Sequence, residues 1–160
     1  MEKYKILFVC LGNICRSPAG EGIMKKLIDL EKLRSEIEVD SAGTSGWHSG
    51  DLPDLRMRQH GAKRGYHFDS HSRKFTQNDF YDFDIILAMD DTNYYDILSL
   101  SPNLESNNKV YRMTDFLQKL KHDHIPDPYY SGAAGFELVL DLLEDACEGL
   151  LAEVKRNLLK

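Results

Sequence analysis

A cysteine and an arginine near the N-terminus are spaced so that together they could catalyse phosphoryl transfer. Five residues separate Cys10 from Arg16, and Ser17 and Pro18 follow directly. A cysteine thiolate is a strong nucleophile, and an arginine guanidinium presents a planar set of donors that matches a phosphate group. The spacing therefore predicts a site in which a thiolate attacks the central atom of a bound tetrahedral oxyanion.

The surrounding residues predict a strand, a tight loop and a helix start that would position this pair. Residues 6–9 form an apolar run of the length of one buried strand. Gly12 and Asn13 are the residue types that most readily adopt left-handed backbone angles. Ser17 is predicted to cap the following helix, with Pro18 at its first position. Inward-pointing backbone N–H groups and the positive end of the helix dipole would then form an anion cradle and favour the Cys10 thiolate.

The segment resembles the signature loop of the low-molecular-weight protein tyrosine phosphatases. The resemblance lies in the Cys–Arg spacing, the internal glycine, asparagine and second cysteine, the Ser-Pro helix start and the N-terminal location. It implies a phosphotyrosine phosphatase that forms a phosphocysteine intermediate, needs no metal or cofactor, and is inhibited by phosphate-like oxyanions. The implied phosphate-binding residues are Leu11, Gly12, Asn13, Ile14, Cys15, Arg16 and Ser17.

The leaving oxygen of a phosphate monoester needs a proton, and two aspartates in a polar loop are candidates to supply it. Asp127 is followed by Pro128, which stiffens the loop, whereas Asp123 is not followed by proline. The residues alone leave both candidates open. The resemblance implies Asp127, because the family carries its general acid in an Asp-Pro motif at this distance from the C-terminus.

The resemblance also assigns roles to residues outside the signature loop. Trp47, Tyr129 and Tyr130 are expected to form the walls of the substrate cleft. Ser41 and His71 are expected to anchor Asn13 in a structural role.

Cys15 has two interpretations, packing in the core or redox protection. In the second, an oxidised Cys10 would condense with Cys15 to give a reversible disulfide. The resemblance favours the redox role.

The composition limits the remaining possibilities. The 160-residue chain has a formal net charge of -6 and 42% hydrophobic residues, which is typical of one globular domain, here residues 1–160, and argues against a nucleic-acid-binding protein. No apolar run is long enough for a signal peptide or a membrane span. Three cysteines without zinc-site spacing favour a reducing, cytoplasmic compartment.

The sequence supports three alternatives to the phosphatase less well. An arsenate reductase of the same fold would need further cysteines near the third strand and its following helix, and residues 79–99 contain none. A phosphate-binding module without turnover would need neither Cys10 nor Asp127. Two histidines flank Asp123 in segment 122–124, but no further ligands with suitable spacing accompany them, so no metal site is predicted.

Strands and helices are predicted to alternate along the chain. Apolar runs and alternating patterns predict strands at residues 6–9, 36–41, 84–89 and 109–112, and helices at about 18–33, 54–64, 90–98, 114–120 and 135–158. This order predicts an α/β fold, a three-layer α/β/α sandwich around a four-stranded parallel sheet with flavodoxin-like, doubly wound topology. Ligands bind at the carboxyl ends of such strands, where Cys10 is expected.

Overall fold

The computed structural model describes residues 2–158. A parallel sheet lies at the centre of the fold. Within those residues its strands are β1 (Tyr4–Cys10), β2 (Ile37–Gly43), β3 (Ile85–Ala88) and β4 (Val110–Arg112). Their spatial order is β2-β1-β3-β4, and every neighbouring pair is parallel. The two strands at the centre, β1 and β3, are the most apolar, as expected for strands that are covered on both faces.

Helices connect the strands and cover both faces of the sheet. In chain order they are α1 (Arg16–Leu30), α2 (Leu55–Lys63), α3 (Asp79–Asp82), α4 (Asp91–Ser99), α5 (Leu104–Asn107) and α6 (Ala133–Leu158), with a 3-10 turn at Met113–Phe116. Side chains of α1, α2 and α6 pack on one face, and those of α3 and α4 pack on the other. The predicted α/β sandwich is therefore confirmed. No helix in residues 2–158 combines the length and apolar character needed to cross a bilayer.

Strand β1 shows why a short apolar run can sit at the centre of this sandwich. Ile6 and Phe8 point to the face covered by α1 and α6, while Leu7 and Val9 point to the opposite face, and all four are fully buried. Because successive side chains of a strand alternate between faces, a strand buried on both faces must be apolar at every position.

The helix predicted at 18–33 is α1, which spans Arg16–Leu30, and the short helices α3 and α5 were not predicted. Two further differences have identifiable reasons. The strand predicted at 36–41 extends to Gly43, because Gly43 pairs with Cys10 and also bonds to the chain at residues 73–75. The helix predicted at 114–120 is only the 3-10 turn. The backbone N–H groups of residues 118–120 donate to the buried carboxylate of Asp145 on α6, so they do not continue a helix.

Candidate active site

The site lies at the carboxyl edge of the sheet, where the end of β1 meets the start of α1. Cys10 is the last residue of β1 and Arg16 is the first residue of α1, and both side chains are almost completely buried. The five residues between them form a tight loop. The predicted order of strand, loop and helix is therefore present.

Ser17 does not cap α1, contrary to the sequence-based expectation. The helix begins at Arg16, two residues before the predicted first position at Pro18, and no side chain caps its N-terminus. The Ser17 hydroxyl instead lies 3.0 Å from the Cys10 sulfur and accepts a hydrogen bond from the side-chain amide of Asn13 at 2.7 Å. Ser17 is thus placed to donate to a Cys10 thiolate, which would lower the negative charge density on the sulfur.

The carbonyl groups of the loop point outward and are held by other segments. Four donor–acceptor pairs fix them at 2.7–3.1 Å, namely Thr44 N to Cys10 O, Ser45 N to Leu11 O, the Ser72 hydroxyl to Gly12 O, and Asp54 N to Ile14 O. In a trans peptide the C=O and N–H groups point in opposite directions. The N–H groups of those peptides therefore face the other side, where an oxyanion can accept from them.

Asn13 is the residue of the loop with left-handed geometry, with φ at 56°. Its side-chain amide donates to Ser17 and to Ser41, the latter at 3.0 Å, and its carbonyl oxygen accepts from the backbone N–H of Arg73 at 3.0 Å. The predicted contact with Ser41 is thus present. His71 is exposed and makes no such contact, so its predicted anchoring role is wrong, and the adjacent segment 72–73 holds the loop instead.

Arg16 is positioned by acceptors from two other segments. One terminal nitrogen donates to the Asp90 carboxylate at 2.7 Å and to the backbone carbonyl of Ile125 at 3.0 Å, while the other lies 3.9 Å from the Asp127 carboxylate. Burial acts to lower the pKa of Arg16, but the negative charges of Cys10, Asp90 and Asp127 outweigh it and raise that pKa. Arg16 is therefore a fixed positive charge at the base of the cleft.

The structure separates the two candidate acids. Asp127 lines the same cleft as Cys10 and Arg16, and its carboxylate accepts from the backbone N–H of Tyr129 at 3.1 Å. Asp123 lies outside this cleft, almost fully exposed, beside the imidazole of His124. The hydrogen bond from His124 holds the pKa of Asp123 below its ordinary value. Of the two aspartates, only Asp127 therefore lies in the cleft with Cys10 and Arg16, and its role as the acid stays a prediction.

Aromatic side chains form the mouth of the cleft. Trp47, Tyr129 and Tyr130 line it, as expected, and His48 lies beside them. Trp47 and Tyr130 are 81% and 96% exposed, so most of their surface is free to contact a bound molecule. The rings of Tyr129 and Tyr130 are 4.9 Å apart and nearly perpendicular.

The Tyr129 wall is tied to the loop through α2. The Arg56 guanidinium lies 5.2 Å from the centre of the Tyr129 ring and forms two hydrogen bonds to the carboxylate of Asp54. Asp54 in turn donates its backbone N–H to Ile14 in the loop. The cleft wall and the cradle are thus parts of one connected structure.

The remaining cysteines are buried as free thiols. Burial, and next the nearby carboxylate of Asp54, raise the pKa of Cys15, so that its thiol stays protonated at neutral pH. Cys147 lies on α6 in the core, where burial raises its pKa in the same way. Redox pairing of Cys15 with Cys10 stays a prediction.

Segment 122–124 brings two imidazoles and a carboxylate together, with one ligand-type atom of each within 4.8 Å of the others. These side chains belong to the loop outside the cleft and contact neither Cys10 nor the cradle. The expectation of no metal site stays a prediction.

Several residues that build the site were missed by the sequence-based reasoning. Asp90, Ser72 and His48 were not among the predicted site residues, and neither was Glu21 of α1, which accepts from Ser41. A signal existed for Asp90, because it directly follows the apolar strand 84–89 and thus had to lie at the carboxyl edge of the sheet. The other residues come from loops whose folding the apolar pattern does not determine.

Comparisons with known proteins agree with this geometry. The family model for low molecular weight phosphotyrosine protein phosphatase matches residues 5–160. The low molecular weight protein-tyrosine-phosphatase YfkJ of Bacillus subtilis (strain 168) is 38% identical over 153 residues, which cover 95% of this chain and 96% of that protein. The chain belongs to the low molecular weight phosphotyrosine protein phosphatase family, which confirms the predicted resemblance.

Solved structures of the same fold are similar over nearly the whole chain. A crystal structure of a protein tyrosine phosphatase from Entamoeba histolytica, with Hepes in the active site, has a TM-score of 0.94 and 48% identity and covers 97% of this chain and 99% of that one. A crystal structure of a Drosophila arginine phosphatase has a TM-score of 0.85 and 34% identity and covers 94% of this chain and 98% of that one.

Proposed function

We propose that this chain hydrolyses phosphotyrosine and other aryl phosphate monoesters through a phosphocysteine intermediate. The observation that supports the proposal best is that Cys10, Arg16 and Asp127 line one cleft, with outward-bonded loop carbonyls behind them. A nucleophile, a fixed positive charge and a proton donor in one cleft are the groups that a double displacement at phosphorus requires.

In the first step the Cys10 thiolate attacks phosphorus in line with the leaving oxygen. The S–P bond forms as the P–O bond to the aryl group breaks, and the protonated carboxyl of Asp127 gives its proton to the departing phenolate oxygen. Arg16 and the N–H groups of residues 11–16 hold the other three oxygens, which carry the transition-state charge. These donors supply the positive charge, so no step requires a metal ion.

In the second step a water molecule attacks the phosphocysteine. The carboxylate of Asp127 now takes a proton from the water as its oxygen bonds to phosphorus, and the P–S bond breaks. Inorganic phosphate leaves, and the Cys10 thiolate returns. Hydrogen bonding from Ser17 stabilises that thiolate both as a nucleophile and as a leaving group.

The cleft walls favour an aryl group over other substituents on phosphate. Tyr129 and Tyr130 present ring faces or edges to the cleft, and ring pairs contribute about 0.5–1.5 kcal/mol beyond the buried area. The Hepes molecule in the Entamoeba histolytica enzyme carries a sulfonate, an oxyanion of similar shape to phosphate. Because a relative is described as an arginine phosphatase, phosphoarginine is the comparison substrate in any test.

The decisive experiment measures hydrolysis of p-nitrophenyl phosphate, phenyl phosphate, a phosphotyrosine peptide and a phosphoarginine peptide, all with chelator and thiol present. We expect metal-independent turnover that Cys10→Ser abolishes and that Asp127→Asn lowers by about 10²–10⁴-fold. The loss in Asp127→Asn is expected to be larger for phenyl phosphate, whose leaving group is the more basic.

Asp123→Asn is the matched control, since it removes the rival carboxylate from the same loop. It is expected to leave turnover near the parent value. A folded parent protein without turnover, or Cys10→Ser with full turnover, would contradict the proposal. A preference for the phosphoarginine peptide would reassign the substrate class, and equal losses in both aspartate variants would remove the assignment of the acid.

A further inference from the structure

The ring of Tyr129 lies between the cleft and a cation on α2. Tyr129 lines the cleft, whereas Arg56 does not, and the Arg56 guanidinium lies 5.2 Å from the centre of the Tyr129 ring. The attraction between a cation and the face of an aromatic ring acts within about 6 Å of the ring centre. Arg56 therefore contacts the Tyr129 ring from outside the cleft.

Arg56 is itself held in place by two further groups. Its Nε and one terminal nitrogen donate to the two carboxylate oxygens of Asp54 at 3.1 and 3.0 Å, and its guanidinium lies 4.9 Å from the centre of the Phe136 ring. Phe136 belongs to α6 and is 1% exposed. A two-point contact with a carboxylate fixes the plane of a guanidinium as well as its position. Arg56 thus connects the Tyr129 ring to the core of the protein.

The carboxylate that holds Arg56 is ionised at neutral pH. Burial acts to raise the pKa of Asp54, but hydrogen bonds from the side chain and the backbone N–H of Arg56 outweigh burial and lower that pKa. The Asp54 side chain is 12% exposed, so the ion pair is partly shielded from water. The group that fixes the guanidinium is therefore present throughout the neutral pH range.

The other neighbours of Tyr129 restrain its ring less. The ring of Tyr130 lies 4.9 Å away, centre to centre, but Tyr130 is 96% exposed and has few contacts of its own. The carboxylate of Asp127 accepts from the backbone N–H of Tyr129, which restrains the main chain and not the ring. Of these three neighbours, Arg56 is the one that fixes the ring.

We propose that Arg56 is a positioning residue for aryl substrates, because it holds the ring of Tyr129 in the orientation in which that ring packs against the aryl group of a bound phosphate monoester. The phosphate group itself is held by other residues, since Arg16 and the loop lie at the base of the cleft. Arg56 should therefore strengthen the binding of the aryl group and not that of the phosphate. This inference rests on the proposed function, in which the cleft receives an aryl phosphate.

Two phosphonates that differ by one phenyl group separate these contributions. Methylphosphonate and benzylphosphonate carry the same oxyanion, and neither has a P–O ester bond to cleave. Trp47 is the single tryptophan of the chain and lines the cleft, so its fluorescence reports the binding of either probe, with isothermal titration calorimetry as the second method. The ratio of the two dissociation constants measures what the phenyl group adds to binding.

Arg56→Met removes the positive charge and both side-chain hydrogen bonds to Asp54. We expect benzylphosphonate to bind about two- to fivefold more weakly, the effect of one cation–π contact at a partly exposed position, and methylphosphonate to bind almost as in the parent protein. KM for phenyl phosphate should rise by the same factor while kcat changes little, because the ring contact is the same in the bound state and in the transition state.

Removing the ring tests whether Arg56 acts through Tyr129. In the Tyr129→Leu background, Arg56→Met is expected to leave the ratio unchanged, because no ring remains to be positioned. Arg34→Met is the matched control, since Arg34 also forms two hydrogen bonds to one aspartate, Asp29, at the end of α1 that is far from the cleft. It should bind both phosphonates as the parent protein does.

Urea titration of each variant separates an effect on stability from an effect on binding. A folded Arg56→Met protein with the parent ratio of dissociation constants would overturn the inference, and so would an equal loss for methylphosphonate. The same holds for a loss that persists in the Tyr129→Leu background or that Arg34→Met reproduces, and for a parent protein that binds both phosphonates equally well.

Should Arg56→Met not fold, Arg56→Gln replaces it with the same expected results, since glutamine also lacks the charge. The binding measurement does not require turnover. A failure of the proposed phosphatase activity therefore stays distinguishable from a failure of this inference.

Discussion

At the scale of single residues, Asp90 holds Arg16 in place although Asp90 does not itself line the cleft. Asp90 uses one carboxylate oxygen to accept from Arg16 and the other to cap α4 through the backbone N–H of Asn93 at 2.8 Å. The orientation of the guanidinium is thereby coupled to the start of a helix. A bidentate phosphate contact needs that orientation to be fixed before the substrate arrives.

Asp90→Ala is expected to lower kcat/KM for p-nitrophenyl phosphate by about tenfold and to weaken inhibition by inorganic phosphate, because Arg16 loses the acceptor that orients it. Loss of the cap should also cost about 1 kcal/mol of the free energy of unfolding. The measurements are steady-state kinetics and urea titration.

Asn103→Ala is its matched control, since Asn103 caps α5 through Ser106 in the same way and does not contact the site. It should lower the stability without changing the kinetics. Equal kinetics in both variants and the parent protein would show that Asp90 acts only as a cap.

Residue types predicted which side chains line the cleft better than they predicted its supports. The spacing of Cys10 and Arg16 placed those two residues together, whereas Asp127 was distinguished from Asp123 by the family resemblance and not by the residues alone. His71 was a wrong prediction because the loop is held by a backbone N–H and a serine in the next two positions. Any residue has a backbone N–H, so no sequence pattern identifies such a donor.

At the scale of elements, Asp145 shows how one buried carboxylate can end a helical segment. It accepts from the backbone N–H groups of residues 118–120, and Gly149 lets the preceding 3-10 turn approach α6. A side chain at Gly149 would place its Cβ 2.1 Å from the carbonyl oxygen of Phe116. Both contacts hold residues 116–120 against α6, and this segment precedes the loop that contains Asp127.

The stabilising effect of Asp145 is expected to depend on pH. Burial alone would raise the pKa of Asp145, but the N–H donors of residues 118–120 outweigh burial and hold that pKa below its ordinary value. A lowered folded-state pKa stabilises the protein above the unfolded-state value, near 3.9, and this contribution is lost as the pH falls through the folded-state value.

Asp145→Asn should therefore reduce the free energy of unfolding at pH 7 and have a smaller effect at pH 2.5. Urea titrations of both proteins at the two pH values measure this difference. The same loss at both pH values would contradict an ionised Asp145 as the stabilising acceptor.

Helix and strand positions followed from the apolar patterns, but element ends did not. The ends are decided by contacts between distant segments, such as Asp145 with residues 118–120 or Gly43 with residues 73–75. Gly43 is also close to the loop, since a Cβ there would lie 2.8 Å from the Leu11 carbonyl oxygen. A sequence pattern indicates which face of a helix or strand is buried, but it does not identify the contact at which that element ends.

At the scale of the whole molecule, the sheet divides the core of residues 2–158 into two hydrophobic clusters that share its strands. One cluster lies under α1 and α6, and the other lies under α3 and α4. Since neighbouring positions of β1 point into different clusters, neither cluster can lose its packing without disturbing the strand that carries Cys10.

Phe80→Ala is expected to lower the free energy of unfolding by about 3–5 kcal/mol, because Phe80 is fully buried against Phe75 in the cluster on the α4 face. Unfolding should stay a single transition with the same midpoint by circular dichroism and by loss of activity. Separate midpoints for the two probes would show that the clusters unfold independently. Tyr95→Ala, at an exposed position on the same face, is the control and should have a small effect.

The alternation of strands and helices made the architecture predictable, because few topologies bury apolar central strands on both faces. The location of the site followed from that topology. The cleft walls could not be derived in the same way, because Trp47 and Tyr130 are exposed and no packing requirement determines their positions.

The outward hydrogen bonds of the loop carbonyls have a consequence for amide hydrogen exchange. Thr44, Ser45 and Asp54 donate their N–H groups to carbonyl groups of the loop, so these three amides should exchange slowly. The N–H groups of residues 11, 12, 13 and 15, on the opposite sides of the same peptides, face the cradle and should exchange faster until an oxyanion binds. Vanadate or phosphate should therefore slow the exchange of the loop amides that face the cradle and leave the three supporting amides almost unchanged.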